Sequence, residues 1–271
     1  MILSGKDLVV QLKEELNVIF LEKKIGESKP INIVVIHTLK DEASQAYKNT
    51  RDKLMGNYNI QVQDIYLDNL PNRELLNYLQ NLNQDPYVAG IMINRPVGKG
   101  VDYNELITTL GKKDIEGVGL INTALLTISK KGLIPPTSNA VIYILDKYNI
   151  DLSGKNVLLI GRSHNVGKPL IPLLLERNAT LTIAHSKTQN ISSLIANADV
   201  VISAVGKPNF VKESHSKQIL IDVGFHYLSD GTIVGDISKE AKERALSYTP
   251  VPNGVGSLTT YLLIKNILEN V

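Results

Sequence analysis

The sequence predicts an α/β protein built as two lobes, and three observations carry that prediction. Its 271 residues exceed the roughly 100 to 200 that a single domain usually takes. Short β-branched runs alternate with segments of helical period along most of the chain, the pattern of mainly parallel strands joined by helices. One such run, at 157–160, feeds a glycine-containing turn that opens a leucine-rich helix.

In chain order, Leu8, Val9, Leu12, Leu16, Ile19 and Phe20 recur at helical spacing, and 31–36 is a β-branched strand. The polar segment 40–44 leads into a helix through 47–55, with Gly56 as its C-terminal stop. A strand over 60–67, a helix over 73–83 and a strand-like run over 88–93, ending at Arg95-Pro96, complete the first series. After Pro135-Pro136-Thr137, a helix over 140–147 opens a second series with strands at 157–160, 180–184, 200–205 and 219–223. Their unbroken apolar runs suit a sheet covered on both faces. Leu258, Leu262, Leu263, Ile267 and Leu268 give a last helix, expected to return to the first lobe. There is no internal repeat and no low-complexity linker.

Composition narrows the function classes. Hydrophobic residues are 43% and charged residues 21%, as in ordinary globular chains with a full core. With 29 basic and 27 acidic side chains spread along the chain, the net charge of +2 gives no footprint for nucleic acid or anionic lipid, so a small molecule is the expected partner. The absence of cysteine removes disulfides, thiolate metal sites and a cysteine nucleophile. The five histidines have no ligand spacing, so no metal site is expected. Met1-Ile-Leu-Ser-Gly-Lys6 does not read as a leader and no apolar run reaches about 18 residues, which leads to the expectation of a cytoplasmic protein.

The strongest local signal is Val157-Leu-Leu-Ile-Gly161-Arg-Ser-His-Asn-Val-Gly167-Lys-Pro169. Backbone N–H groups at such a helix start, with the helix dipole behind them, can hold a pyrophosphate. Ser163 replaces the middle glycine of the generic G-x-G-x-x-G pattern and the last glycine falls at Gly167, so the turn alone also fits a tight bend without a ligand. The next strand ends in Ala184-His-Ser-Lys187 rather than an acid that would bind a free ribose 2′-hydroxyl, and Arg162 stands beside the first strand, so NADP is expected over NAD. Ala204-Val-Gly206 and Asp222-Val-Gly224 place further glycines at strand ends, the edge where open α/β sheets bind ligands.

Gly161 to Pro169 fits G-R-S-x-x-V-G-x-P at every fixed position. It is followed, in order, by His185-Ser-Lys-Thr188, Ala204-Val-Gly-Lys-Pro208, Asp222-Val-Gly224 and Thr249-Pro-Val-Pro-Asn-Gly-Val-Gly-Ser-Leu-Thr259. Upstream stand Ser44, Tyr47 and Arg51, then Ile93-Asn-Arg-Pro96 and Lys113-Asp-Ile-Glu-Gly117. Taken together, nearly the whole chain resembles the methylenetetrahydrofolate dehydrogenase/cyclohydrolase family. The resemblance implies an N-terminal α/β substrate lobe, residues 1–139 with 256–271, binding a tetrahydrofolate derivative, and a Rossmann-like NADP-binding lobe, residues 140–255. It further implies a homodimer that oxidises 5,10-methylenetetrahydrofolate in one-carbon metabolism.

Carried over residue by residue, the resemblance gives a cofactor site of Gly161, Arg162, Ser163, Val166, Gly167, His185, Ser186, Ala204, Gly206, Asp222 and Gly224. Substrate binding falls to Ser44, Tyr47, Glu116, Pro252, Gly254 and Gly256, and catalysis to Tyr47, Arg51, Asn94 and Asp114. The chain departs from the family at three polar positions: Arg51 stands where the family has lysine, Asn94 where it has glutamine and Glu116 where it has aspartate. Ser44, Tyr47 and Arg51, at i, i+3 and i+7, share one helix face. Hydride transfer is chiefly positioning work and survives such changes. Ring opening of the methenyl product by water needs proton exchange, which a buried lysine can perform and an arginine cannot, so cyclohydrolase activity is in doubt. On a bland reading Arg51 and Glu116 are solvated surface charges. Two rival functions stay open: a folate- and NADP-binding protein that has lost catalysis and acts as a sensor or partner, and an NADP-dependent dehydrogenase of another small acid.

Overall fold

In the computed structural model the described residues are 1–39 and 42–271, and the side chains of 42–47 lie outside the description. The chain divides into two units. The N-terminal unit comprises Lys13–Leu125, Lys131–Ile134 and Leu263–Val271; the C-terminal unit comprises Met1–Leu12, Leu126–Lys130 and Pro135–Leu262.

The N-terminal unit is laid out by helix α1 (Gly5–Glu22, entering it from Lys13), strand β1 (Ile31–His37), α2 (Glu42–Gly56), β2 (Ile60–Tyr66), α3 (Asn72–Gln84), β3 (Gly90–Ile93), α4 (Tyr103–Thr109) and α5 (Leu120–Thr127). All three strands are parallel, in the order β2-β1-β3. Because β1 is followed outward on one side by β2 and on the other by β3, the chain direction reverses between β1 and β3, and an open sheet presents its ligand crevice beyond the C-terminal strand ends at such a point. The core forms where Val34 and Ile36 of β1 and Ile91 and Ile93 of β3 meet Leu75 and Leu79, one turn apart on α3, and Leu106 of α4. The N-terminus of α4 is capped by Asp102, whose side chain accepts from the N–H groups of Asn104 and Glu105.

The C-terminal unit runs through α6 (Pro136–Lys147), β4 (Asn156–Ile160), α7 (Gly167–Leu175), β5 (Thr180–Ala184), α8 (Ile191–Ala196), β6 (Val200–Ser203), β7 (Ile219–Asp222), the hairpin β8 (His226–Tyr227) and β9 (Ile233–Val234), α9 (Lys239–Arg244), β10 (Ser247–Tyr248) and α10 (Gly256–Asn270). Five parallel strands line up as β10-β7-β6-β4-β5, so the reversal falls between β4 and β6. This is the doubly wound plan; β4, β6 and β7 are buried as expected from their apolar runs, whereas β5, at the edge of the sheet, is largely exposed, Ile183 included, so the expectation of cover on both faces does not hold there. Leu158, Ile160, Ala184, Val201 and Leu220 form the core with Ile195 and Ala241 from the helices.

Pro136 begins α6 at the position where a missing N–H costs nothing. The first residues of the chain join the edge of the larger sheet, where Ile2 bridges Tyr248 in parallel and the Met1 ammonium donates to Leu246 O at 2.6 Å. The last part of α10 belongs to the N-terminal unit, where the Asn266 side chain donates to Ile115 O at 3.2 Å and to Ile134 O at 3.0 Å. The C-terminal helix thus returns to the first lobe. No described helix is long and apolar enough to cross a membrane.

Candidate functional site

In the C-terminal unit the site is built around the turn after β4. Gly161 has φ +122°, and a Cβ there would lie 2.4 Å from Ala204 O; a Cβ on Gly167 would lie 2.3 Å from Gly161 O. Only glycine lets these three backbone segments pass so closely. The turn is tied to both neighbouring strands, Gly161 N–H donating to Ala184 O at 2.9 Å and Ala204 N–H to Ile160 O at 2.8 Å. From α6, the buried Ser138 hydroxyl donates to Val166 O at 3.0 Å and holds the entry to α7. Among the described residues no side chain caps α7; the Gly167 N–H reaches only Ser163 Oγ, at 3.5 Å. The turn therefore offers a narrow backbone cradle at the switch point between β4 and β6, with the helix dipole behind it, which fits a pyrophosphate.

Around that cradle, Arg162 and Ser163 are exposed, and Val166 immediately precedes α7. At the end of β5, the His185 N–H donates to Thr188 Oγ1 at 2.9 Å while its ring Nδ1 accepts from Lys187 N–H at 3.2 Å. This fixes the loop and leaves Ser186 exposed. The structure thus gathers Arg162 and the 185–187 loop at the ends of the paired strands β4 and β5.

Asp222 does something the motif does not reveal. It is 1% exposed, and its carboxylate accepts from the N–H groups of Gly224, Asp236 and Ile237 and pairs with Lys242 Nζ at 2.7 Å. Burial pushes its carboxyl up, against the pull of Lys242. Asp236, which the sequence reading passed over, organises the other cofactor-side loop. Its carboxylate accepts from the N–H groups of Val205, Gly206 and Lys207 at 2.7, 3.2 and 3.0 Å, and from His226 Nε2 at 2.9 Å. Its signal in the sequence was slight: an acid two residues before Ser238, whose hydroxyl caps α9. Gly224 lies against Asp236, with no room for a side chain.

The segment 249–256 also lies in the C-terminal unit. Thr249 Oγ1 accepts from Asp222 N–H at 2.7 Å, the Val251–Pro252 peptide is cis, and the Asn253 carbonyl accepts from Lys6 N–H at 3.1 Å. Pro252 is exposed, Gly254 is packed against Gly5, and Gly256 starts α10.

In the N-terminal unit Ser44 and Tyr47 fall on α2, but their side chains are outside the described residues. Arg51 is 2% exposed. Its Nε donates to Asp52 Oδ1 at 2.9 Å and its terminal nitrogen to Asp64 Oδ2, on β2, at 2.7 Å. Lys48 Nζ joins both acids, at 2.6 Å each, and His37 Nε2 lies 2.6 Å from Asp64 Oδ1. Burial opposes ionisation of Asp64, yet the hydrogen bonds from Lys48, Arg51 and His37 outweigh it and bring the carboxyl down to about 2. Burial likewise works against the Arg51 charge, and Asp64 and Asp52 more than restore it. Arg51 is therefore a buried, paired cation, and of the two readings the bland one, a solvated surface charge, does not hold.

The remaining candidates sit across β1 from this network, around the end of β3. Asn94 N–H donates to Ile36 O at 2.8 Å, and the Arg95–Pro96 peptide is cis. Asp114 is 1% exposed, with its carboxylate taken by the N–H groups of Gly117, Val118 and Gly119 and by Asn122 Nδ2. It shapes the loop that carries Glu116. Glu116 receives a hydrogen bond from the Ile93 backbone, and its Oε2 is buried without a hydrogen-bond partner among the described residues. Burial, reinforced by Asp114, pushes its carboxyl up to about 8. An orphaned buried oxygen at a strand-end crevice is the kind of group a ligand satisfies.

Residues 3–116 match the family described as tetrahydrofolate dehydrogenase/cyclohydrolase, catalytic domain, and residues 135–271 match its NAD(P)-binding domain. The chain is 36% identical over 273 residues to a bifunctional protein FolD of Clostridium botulinum, covering 99% of this chain and 96% of that one. The crystal structure of the bifunctional FolD methylenetetrahydrofolate dehydrogenase/cyclohydrolase from Campylobacter jejuni superposes with a TM-score of 0.92 at 32% identity, covering 100% of this chain and 98% of that one. The N5,N10-methylenetetrahydrofolate dehydrogenase-cyclohydrolase of Trypanosoma brucei, solved with NADP cofactor and an inhibitor, gives 0.89 at 26% identity, covering 100% and 96%.

Proposed function

The chain belongs to the tetrahydrofolate dehydrogenase/cyclohydrolase family, and from that premise we propose that it oxidises 5,10-methylenetetrahydrofolate to 5,10-methenyltetrahydrofolate with NADP, while opening the methenyl ring slowly or not at all. The observation that supports the first clause is the glycine cradle of Gly161 and Gly167 set at the switch point of the larger sheet. NADP, when bound, accepts the hydride. The chain's own residues do the rest: the 161–167 turn holds the pyrophosphate by its backbone, and Arg162 with Ser186 flanks the 2′-phosphate. Asp222 and Asp236 hold the glycine loops at 204–206 and 222–224 in shape. Because the C–H electron pair leaves as hydride and the folate nitrogens share the resulting cation, no protein base has to take a proton in this step.

We assign folate binding to the lobe of residues 1–139 with 256–271 and NADP binding to 140–255. Glu116 faces the substrate with its free oxygen, and Asp114 acts by fixing the Glu116 loop rather than by touching the reacting atoms. Ser44 and Tyr47, both on α2, belong to the same substrate site. The observation behind the second clause is Arg51, buried and paired where the family has a lysine able to trade protons. A homodimer in the cytoplasm completes the reading, carried by the family resemblance; sedimentation velocity at micromolar concentration should read twice the chain mass.

Paired assays on the purified protein test the core of the reading. Oxidation of methylenetetrahydrofolate should reduce NADP, followed at the nicotinamide absorbance, and the methenyl product should accumulate and decay at the rate seen in buffer. Ring opening as fast as dehydrogenation would refute the second clause. Binding of both ligands without any turnover would refute the first.

A further inference from the structure

We propose that Asp64 is the positioning residue that commits the family's lysine position to a cation, so that even a lysine restored there would hold its proton for as long as Asp64 remains. This rests on the reading of Arg51 given above.

Asp64 projects from β2, its side chain 4% exposed, and both its oxygens are engaged: Oδ1 with His37 Nε2, Oδ2 with Lys48 Nζ and the Arg51 guanidinium. Asp52, one residue along α2 from Arg51, takes the guanidinium Nε, shares Nη2 with Asp64, and pairs with Lys48 as well. Among the described residues the groups facing Arg51 are thus Lys48 and Asp52 from α2 and Asp64 from β2. His37 from β1 stands behind Asp64 and is stacked on Tyr66 with ring centroids 4.5 Å apart. Two carboxylates balance two cations. A lysine put in place of Arg51 would inherit both carboxylates, and an ammonium between two anions keeps its proton.

Restoring the family's residue is therefore not enough. Asp52, with a side chain 32% exposed, is screened by solvent, whereas Asp64 is not, so Asp64 is the acid that decides. Removing its charge while keeping its volume, by Asp64→Asn, leaves a partly desolvated amine with one weak partner, able to release and regain a proton near neutral pH.

The experiment compares ring opening of methenyltetrahydrofolate by the wild type, Arg51→Lys, Asp64→Asn and the double variant from about pH 6 to 9. Each single variant should stay within about twofold of the buffer rate, and the double variant should exceed it about tenfold or more, with a pH profile the others lack. Full recovery by Arg51→Lys alone would overturn the role of Asp64. A second measurement needs only that single variant to fold: the ε-methylene NMR signal of the introduced lysine should show no titration below about pH 10. Titration near pH 8 would overturn the proposal. The wild-type rate judges the reading of Arg51 separately: if the wild type already opens the ring quickly, that reading fails before the variants are compared.

Discussion

At the scale of single residues, the folate lobe holds two carboxyls pushed in opposite directions. Glu116, half-buried with its Oε2 enclosed and with the Asp114 charge nearby, is raised from the ordinary 4.5 to about 8. Between those values the folded protein holds a proton that the unfolded chain has released, so this group makes stability fall as pH rises through the window. Glu116→Gln, neutral at every pH, should flatten that fall and raise stability above about pH 8 by a few kcal/mol, read from urea unfolding at several pH values. An unchanged pH slope would count against a protonated Glu116. Asp64 runs the other way: depressed to about 2, it contributes stability that is complete above about pH 4 and is lost as pH falls through about 2. Asp64→Ala should cost about 3 to 5 kcal/mol at neutral pH, because the Arg51 guanidinium would be left buried without its inner partner. The sequence identified Arg51 and Glu116 as departures from the family, and it said correctly that an arginine keeps its charge. It did not show where the guanidinium points, because Asp64 and His37 lie 13 and 14 residues away in opposite directions and only strand pairing brings them together. Asp114 was legible as a motif residue, but the saturation of its carboxylate by its own loop was not.

At the scale of elements, β1, β4, β6 and β7 were legible as short unbroken apolar runs and are buried, while β2 and β5 were legible as β-branched runs between helical segments and turn out to be largely exposed edge strands. The short helices α4, α8 and α9, of seven, six and six residues, and the β8–β9 hairpin were not, since fewer than two turns leave no period to detect. The 157–169 turn was the clearest feature of the sequence, and in the fold its glycines are closely packed against backbone. Gly161→Ala forces a side chain into φ +122° and to within 2.4 Å of Ala204 O. Backbone must move there, so the substitution should weaken NADP binding by about tenfold or more, in titrations of the folded variant. Gly206, at φ +68° with open space around it, should lose less on the same change, and comparable losses at both glycines would argue against a crowded cradle.

For the whole molecule, NADP should raise the melting temperature and NAD should do so less at equal concentration, because a ligand bound only by the folded state stabilises by about 2.7 kcal/mol at a hundred times its dissociation constant. Equal shifts would remove Arg162 and the 185–187 loop as 2′-phosphate readers. The two-lobe plan followed from length and alternation, but the unit boundaries did not, since α1 and α10 each contribute residues to both units and a linear reading assigns a helix to one side only. The position of β2 has a consequence outside catalysis. It is the outermost strand of the smaller sheet, a place where unpaired backbone groups invite a strand from another copy. With Asp64 turned inward and held by Arg51, that edge carries a charge that an incoming apolar strand cannot cover. Asp64→Val would leave a seven-residue strand, 60–66, without its only charge, and light scattering during refolding should reveal aggregation that the wild type avoids. Loss of that one acid is therefore expected to open the sheet edge as well as to release the arginine.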